Sequence, residues 1–165
     1  MVLVAYATRY GSTKQAAEGI AAALRKAGMD ADLKPLRTVR TLEGYRGVVL
    51  GAPLFMFRWH NDALSFLSRY RKALETQPVA IFALGPTHVP YDEKEWRDSR
   101  AQVDKELEKF PWLHQVALEI FGGRYDPAKL GLPIRWLAGD TPATDLLDEK
   151  AIRAWAVKIK PCLVA

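Results

Sequence analysis

Residues 2–28 read VLVAYATRYGSTKQAAEGIAAALRKAG. The first six form an uninterrupted apolar run with β-branched members, the pattern of a strand covered on both faces. From Thr13 to Ala27 the apolar residues Ala16, Ala17, Ile20, Ala23, Leu24 and Ala27 fall at helical spacing, and Gly28 follows as a stop. Between strand and helix stand Thr8, Arg9, Tyr10, Gly11, Ser12 and Thr13, with the three aliphatic hydroxyls of Thr8, Ser12 and Thr13 around one glycine. Ser12 followed by Gln15 reads as a capping box, which accounts for one hydroxyl. A bound phosphate accounts for all three, because loop N–H groups, hydroxyl donors and the positive end of the helix dipole then converge on one anion.

Outward from this stretch the chain alternates strand and helix signals. Residues 30–36 alternate and read as an edge strand, and 37–45 hold at most one helical turn. Buried strands are expected at 47–51, 79–84 and 116–121, and helices at 61–74, 93–109 and 148–160. Five strands alternating with helices predict an α/β fold with a five-stranded parallel sheet covered on both faces, most economically in the order 2-1-3-4-5. Ligands of such sheets sit beyond the carboxyl ends of the strands where the winding reverses, here between strands 1 and 3. Three loops then meet in one crevice: residues 8–13, 53–60 and 85–91.

The first loop lacks the G-x-G-x-x-G of a dinucleotide site, and its G-S-T-K is the wrong order for a P-loop. A terminal monophosphate suits it better. The second loop, PLFMFRWH, places Phe55, Phe57 and Trp59 directly after a buried strand, a platform for a flat ring system, with Trp59 as the expected stacking residue. An ordinary core contact is the alternative for each of these aromatics. In the third loop, GPTHVPY, two prolines stiffen the chain and Gly85 allows close backbone approach. A backbone edge on one side and an aromatic face on the other describe a slot for an isoalloxazine.

VAYATRYGSTKQAAEGI resembles the signature of the flavodoxin superfamily, an aromatic-x-[ST]-x-x-G-x-T pattern after the first strand. Within it, T-R before G-x-T, then VVLGAPLF, RWH and AIRAW, most resemble the flavodoxin-domain group that includes menaquinone-dependent protoporphyrinogen dehydrogenase. The resemblance covers most of the chain and is weak across 92–114 and 123–147. It implies a flavodoxin-like three-layer sandwich over a single domain, 1–165, and FMN as cofactor. Thr8, Arg9, Tyr10, Gly11, Ser12 and Thr13 surround the phosphate in this reading. Pro53, Leu54, Phe55, Met56, Phe57, Arg58 and Trp59 line one side of the ring, and Gly85, Pro86 and Thr87 the other. The function implied is electron transfer or FMN-dependent oxidoreduction, with quinone-dependent protoporphyrinogen oxidation as an alternative. Related sequences often have glycine where Phe57 stands, and a bulky residue resists the positive φ of a turning peptide. A binding or regulatory module that has lost FMN is therefore a third expectation. Arg9 or Arg58 near the flavin lowers the cost of an anionic reduced ring. No catalytic acid, base or nucleophile is read, since the ring carries the reaction.

The stretch 123–147 exceeds ordinary connections of about 2–6 residues. Tyr125, Leu130, Leu132, Ile134, Trp136 and Leu137 make it too apolar for a free linker. It is read as packing on the sheet edge, covering the crevice, docking on a membrane or forming a dimer contact. The 165 residues, 49% hydrophobic and 26% charged, suffice for one ample core. Lys and Arg exceed Asp and Glu by 24 to 19. The basic residues are spread along the chain without an aromatic-interleaved stripe, which argues against nucleic acid. The expected partner is a redox protein or a quinone, with an anionic membrane surface and a homodimer as further options. No apolar run approaches the roughly 20 residues of a membrane span, and no signal segment opens the chain. With a single cysteine, Cys162, the expectation is a cytoplasmic protein. His60, His88 and His114 lie more than twenty residues apart, without metal-ligand spacing.

Overall fold

The first strand, β1 (Val2–Tyr6), is buried along its whole length and divides its side chains between two cores. Val2, Val4 and Tyr6 enter one core, while Leu3 and Ala5 enter the other. Successive side chains of a strand point to opposite faces, so a strand covered twice must be apolar at every position. A computed structural model of the chain describes residues 1–55, 58–90, 92–132, 136, 139 and 142–164. In chain order the remaining elements are α1 (Ser12–Lys26), β2 (Ala31–Pro35), β3 (Val48–Phe55), β4 (Arg58–Trp59), α2 (Asn61–Arg69), α3 (Arg71–Leu74), β5 (Val79–Leu84), α4 (Glu93–Leu107), β6 (Gln115–Phe121), β7 (Arg124–Tyr125), β8 (Thr144–Asp145) and α5 (Glu149–Ile159). Short 3-10 turns lie at Leu36–Thr38, Pro127–Lys129 and Lys160–Leu163.

The parallel strands stand in the order β2-β1-β3-β5-β6, with β4 paired antiparallel to β3 off this path. Counting the five parallel strands alone, this is the expected order 2-1-3-4-5. On one face α1 and α5 pack through Ile20, Leu24, Ile152 and Trp155, whose indole lies edge-on to Phe82 and Phe121 at 6.2 and 5.7 Å between ring centroids. On the other face Ala63, Leu67, Leu74 and Val103 bring α2, α3 and α4 onto the sheet. The result is a three-layer sandwich whose winding reverses between β1 and β3.

Two elements differ from the sequence expectation in ways that shape the site. β3 does not stop at Gly51 but runs to Phe55, pairing with β5 as far as Pro53 opposite Leu84. Its pairing with β1 ends at Gly51, so the missing N–H of Pro53 costs no ladder bond on that side. The expected loop 53–60 is therefore largely a hairpin, with Leu54 opposite Trp59 and Phe55 opposite Arg58. The helix expected over 61–74 is broken at Tyr70 (φ −102°, ψ 20°), whose hydroxyl donates to Val39 O at 2.9 Å. No helix among the described residues is long and apolar enough to cross a membrane.

Candidate functional site: a cleft at the winding reversal

β1 passes into α1 through a turn whose helix cap is Gly11, at φ 95° and ψ −18°. That left-handed conformation disfavours residues with a Cβ, which explains the glycine among hydroxyls. Thr8 Oγ1 accepts the Gly11 N–H at 2.9 Å and fixes the turn. The expected capping box is not formed. Gly11 takes the cap, Ser12 becomes the first helical residue, and Gln15 Nε2 donates instead to Glu149 Oε1 at 3.3 Å. No side chain caps α1, and its first turn has no acidic residue. By contrast α2, α4 and α5 are capped by His60, Asp92 and Asp148. Thr13 is 1% exposed, and its Oγ1 has no hydrogen-bond partner. Leaving such a hydroxyl unpaired costs about 1–3 kcal/mol. The sequence thus spends its capping groups elsewhere and keeps a donor-rich, uncompensated helix terminus open to the cleft.

The cleft itself, about 750 Å³, lies beyond the carboxyl ends of β1, β3 and β5. Arg9, Tyr10, Ser12 and Thr13 form one end, and Pro53, Leu54 and Phe55 of the β3–β4 hairpin one wall. The Arg9 guanidinium stands over the Phe55 ring at 3.9 Å from its centroid. Leu84, Gly85 and Thr87 contribute to the facing wall.

That second wall is held by a set of bonds that local sequence patterns do not reveal. The Glu95 carboxylate, on α4, accepts the N–H groups of Thr87 at 3.2 Å and His88 at 3.4 Å. His88 Nδ1 lies 3.0 Å from the same carboxylate, which pushes the imidazole pKa above its ordinary value through the hydrogen bond and then through charge attraction. From the opposite side, Gly123 N donates to Pro86 O at 2.7 Å and Thr144 Oγ1 to Thr87 O at 2.6 Å. Gly85 also makes room for α4: a Cβ there would lie 2.9 Å from Ser99 Oγ.

Of the expected site residues, Arg9, Tyr10, Ser12, Thr13, Pro53, Leu54, Phe55, Gly85 and Thr87 line the cleft together. Thr8 and Gly11 shape the turn behind it. Pro86 is buried and offers its carbonyl to Gly123, and Arg58 is exposed at the hairpin. Trp59 is not a cleft residue. Only 1% exposed, it points into the core beneath the hairpin, its Nε1 donating to Ala52 O at 3.2 Å. Met56 and Phe57, like Ile134 and Leu137, lie outside the described residues. Sequence reasoning missed one wall entirely, formed by Glu95, Asp98, Ser99 and Gln102 of α4. Their spacing of i, i+3, i+4 and i+7 is that of a single helix face, the one signal available beforehand.

The stretch 123–147, a strap between β6 and α5, lines another side of the cleft with Gly123, Arg124, Tyr125, Asp126 and Leu130. Its base is the β7–β8 ribbon, with Arg124 opposite Asp145 and Tyr125 opposite Thr144. Arg124 Nη2 bonds Asp145 Oδ2 at 2.6 Å, and this bond holds the Asp145 carboxyl below its usual range. Farther out, Leu132 and Trp136 are 85% and 87% exposed.

Residues 3–136 match the family model described as flavodoxin domain. Protoporphyrinogen IX dehydrogenase (quinone) of Escherichia coli strain K12 is 22% identical over 151 aligned residues, which cover 77% of this chain and 83% of that protein. Among solved structures, oxidised flavodoxin 2 from Bacillus cereus superposes with a TM-score of 0.60 at 17% identity, covering 98% of each chain. A flavodoxin from the domain Archaea also gives 0.60, at 12% identity over 99% of each chain. The structural likenesses establish the fold, the sequence match spans most of the chain, and the chain therefore belongs to the flavodoxin-domain family.

Proposed function

We propose that this protein binds FMN in the cleft and acts in electron transfer or as an FMN-dependent oxidoreductase, with a redox protein or a quinone as its partner. The observation that carries the reading is the buried, unpartnered Thr13 hydroxyl at the uncapped start of α1. Thr13, Ser12 and the N–H groups of the first helical turn would hold a phosphate ester there, with Arg9 lining the same end of the cleft. Thr8 keeps a hydroxyl proton to donate while its lone pair holds the Gly11 N–H. These donors fit a phosphate, and the apolar walls of Pro53, Leu54, Phe55 and Leu84 fit a flat ring.

A bound flavin supplies the electron-transfer chemistry. The chain's own contribution is positional and electrostatic. Leu54, Phe55 and Leu130 keep water from the ring slot, and the backbone of 85–87 forms its facing edge. Arg9 places a cation beside the aromatic wall, where it favours an electron-rich ligand over a neutral one.

A second reading, quinone-coupled oxidation of protoporphyrinogen or a similar ring, is supported by the E. coli relative together with the ribbon and strap that enclose the same cleft. Purified protein that shows flavin absorption bands, or whose FMN titration saturates at one equivalent, supports the first reading. Turnover with a quinone acceptor adds the second. A colourless protein that ignores added FMN overturns both.

A further inference from the structure

The loop 85–88 carries no regular structure, yet its backbone is fixed from two directions. Three chain segments far apart in sequence meet on it: α4 through Glu95, the start of the strap through Gly123, and the end of the strap through Thr144. The two strap contacts address carbonyls, of Pro86 and Thr87. Glu95 is the side chain that accepts the N–H groups of Thr87 and His88, and it does so with both carboxylate oxygens. The Glu95 side chain is 23% exposed, sheltered enough for these charge-assisted bonds to outcompete water.

We propose that Glu95 is a positioning residue of the cofactor site: by taking the adjacent N–H groups of Thr87 and His88 it holds loop 85–88 in the shape that forms the second wall of the ring slot. The proposal rests on the FMN reading above and deepens it. The hydrogen bonds of Glu95 go to Thr87 and His88 rather than to the phosphate loop or the β3–β4 hairpin. It acts through the backbone it holds, so its effect falls on the ring subsite and leaves the phosphate subsite alone.

The geometry also says what each substitution does. Alanine removes both acceptors and leaves two amides to find water, which frees the loop to sample other shapes. Glutamine keeps one acceptor oxygen and loses the charge, and therefore restores part of the hold.

The test compares full-length wild type, E95A and E95Q. Affinity for FMN is measured by flavin fluorescence quenching, affinity of the apoprotein for inorganic phosphate by calorimetry, and the amide resonances of Thr87 and His88 by NMR. E95A is expected to weaken FMN binding about tenfold, the loss of one strong charged hydrogen bond at minimum, with E95Q in between. Phosphate affinity stays unchanged in both variants, and the two amide resonances move upfield. The visible dichroism of the bound ring changes in E95A and returns toward wild type in E95Q. Equal FMN affinity in all three proteins overturns the positioning role, as does a parallel loss of phosphate affinity, which marks general damage. If E95A does not fold, E95Q carries the same comparison. A wild type that shows the shifted amides but binds no FMN overturns the cofactor reading, and with it the role toward that ligand, while the clamp itself stands.

Discussion

The Arg9 guanidinium stands 3.9 Å from the centroid of the Phe55 ring, joining the turn after β1 to the hairpin after β3. At an exposed site such a contact contributes about 0.5–1 kcal/mol. It also fixes a positive charge at the mouth of the cleft, where it would favour the anionic reduced form of a bound flavin. Replacing Arg9 by methionine is therefore expected to lower the reduction potential of the FMN-loaded protein by a few tens of millivolts, equivalent to roughly 1 kcal/mol in a solvent-accessible setting. Potentiometric titration of both proteins measures this, and an unchanged potential contradicts the assignment.

Thr13 makes a prediction with two opposite signs. Valine has the same shape but no hydroxyl, so Thr13→Val relieves the unpaired buried group and is expected to stabilise the apoprotein by about 1–3 kcal/mol. The same change removes a phosphate donor and should weaken FMN binding about tenfold. Denaturant unfolding and FMN titration read the two effects separately. A variant that loses stability and keeps affinity contradicts the role given to this hydroxyl.

Trp59 is a core residue, and its substitutions should behave accordingly. Trp59→Ala is expected to cost about 3–5 kcal/mol of stability through the cavity it leaves. Trp59→Phe keeps most of the volume, forfeits the bond to Ala52 O, and should leave FMN affinity within about twofold, since a residue outside the cleft adds no direct contact. A large loss of flavin affinity with intact stability would instead mark Trp59 as a stacking residue.

His88 supplies the pH dependence. Its folded pKa is raised, chiefly by the hydrogen bond to Glu95, so the protonated pair supports loop 85–88 fully below the unfolded value of about 6.5. The support is lost as pH rises through the higher folded value. The His88 side chain is 78% exposed, so global stability changes little and the local titration is the better readout. An NMR titration of the imidazole is expected to give a raised value in wild type that falls back toward the ordinary one in Glu95→Gln.

Much of this architecture is legible in the chain because double burial forces apolar runs. Val2, Leu3, Val4 and Ala5 serve two cores at once, and Val79 to Leu84 do the same, so both strands announce themselves. Their parallel pairing follows from the alternation with helices, and the order 2-1-3-4-5 is the most economical winding for five such strands. What escaped notice depends on tertiary placement. Trp59 resembles a loop aromatic until its pairing with Leu54 puts it on the inner side of a hairpin whose second strand has two residues. Ser12 fits a capping box, yet Gly11 at φ 95° moves the helix start by one position and leaves Ser12 inside it. The helix over 93–109 is legible, but the role of its Glu95 is not, because it depends on the approach of loop 85–88, whose backbone Glu95 holds.

The expectations that involve FMN depend on an anion at the start of α1. Calorimetric titration of the apoprotein with FMN and, separately, with riboflavin tests it most directly, since the two ligands share the ring and differ in the phosphate. FMN is predicted to bind at least about a hundredfold more tightly, the worth of two charged hydrogen bonds. Equal affinity for the two, or no binding of either, would contradict the account.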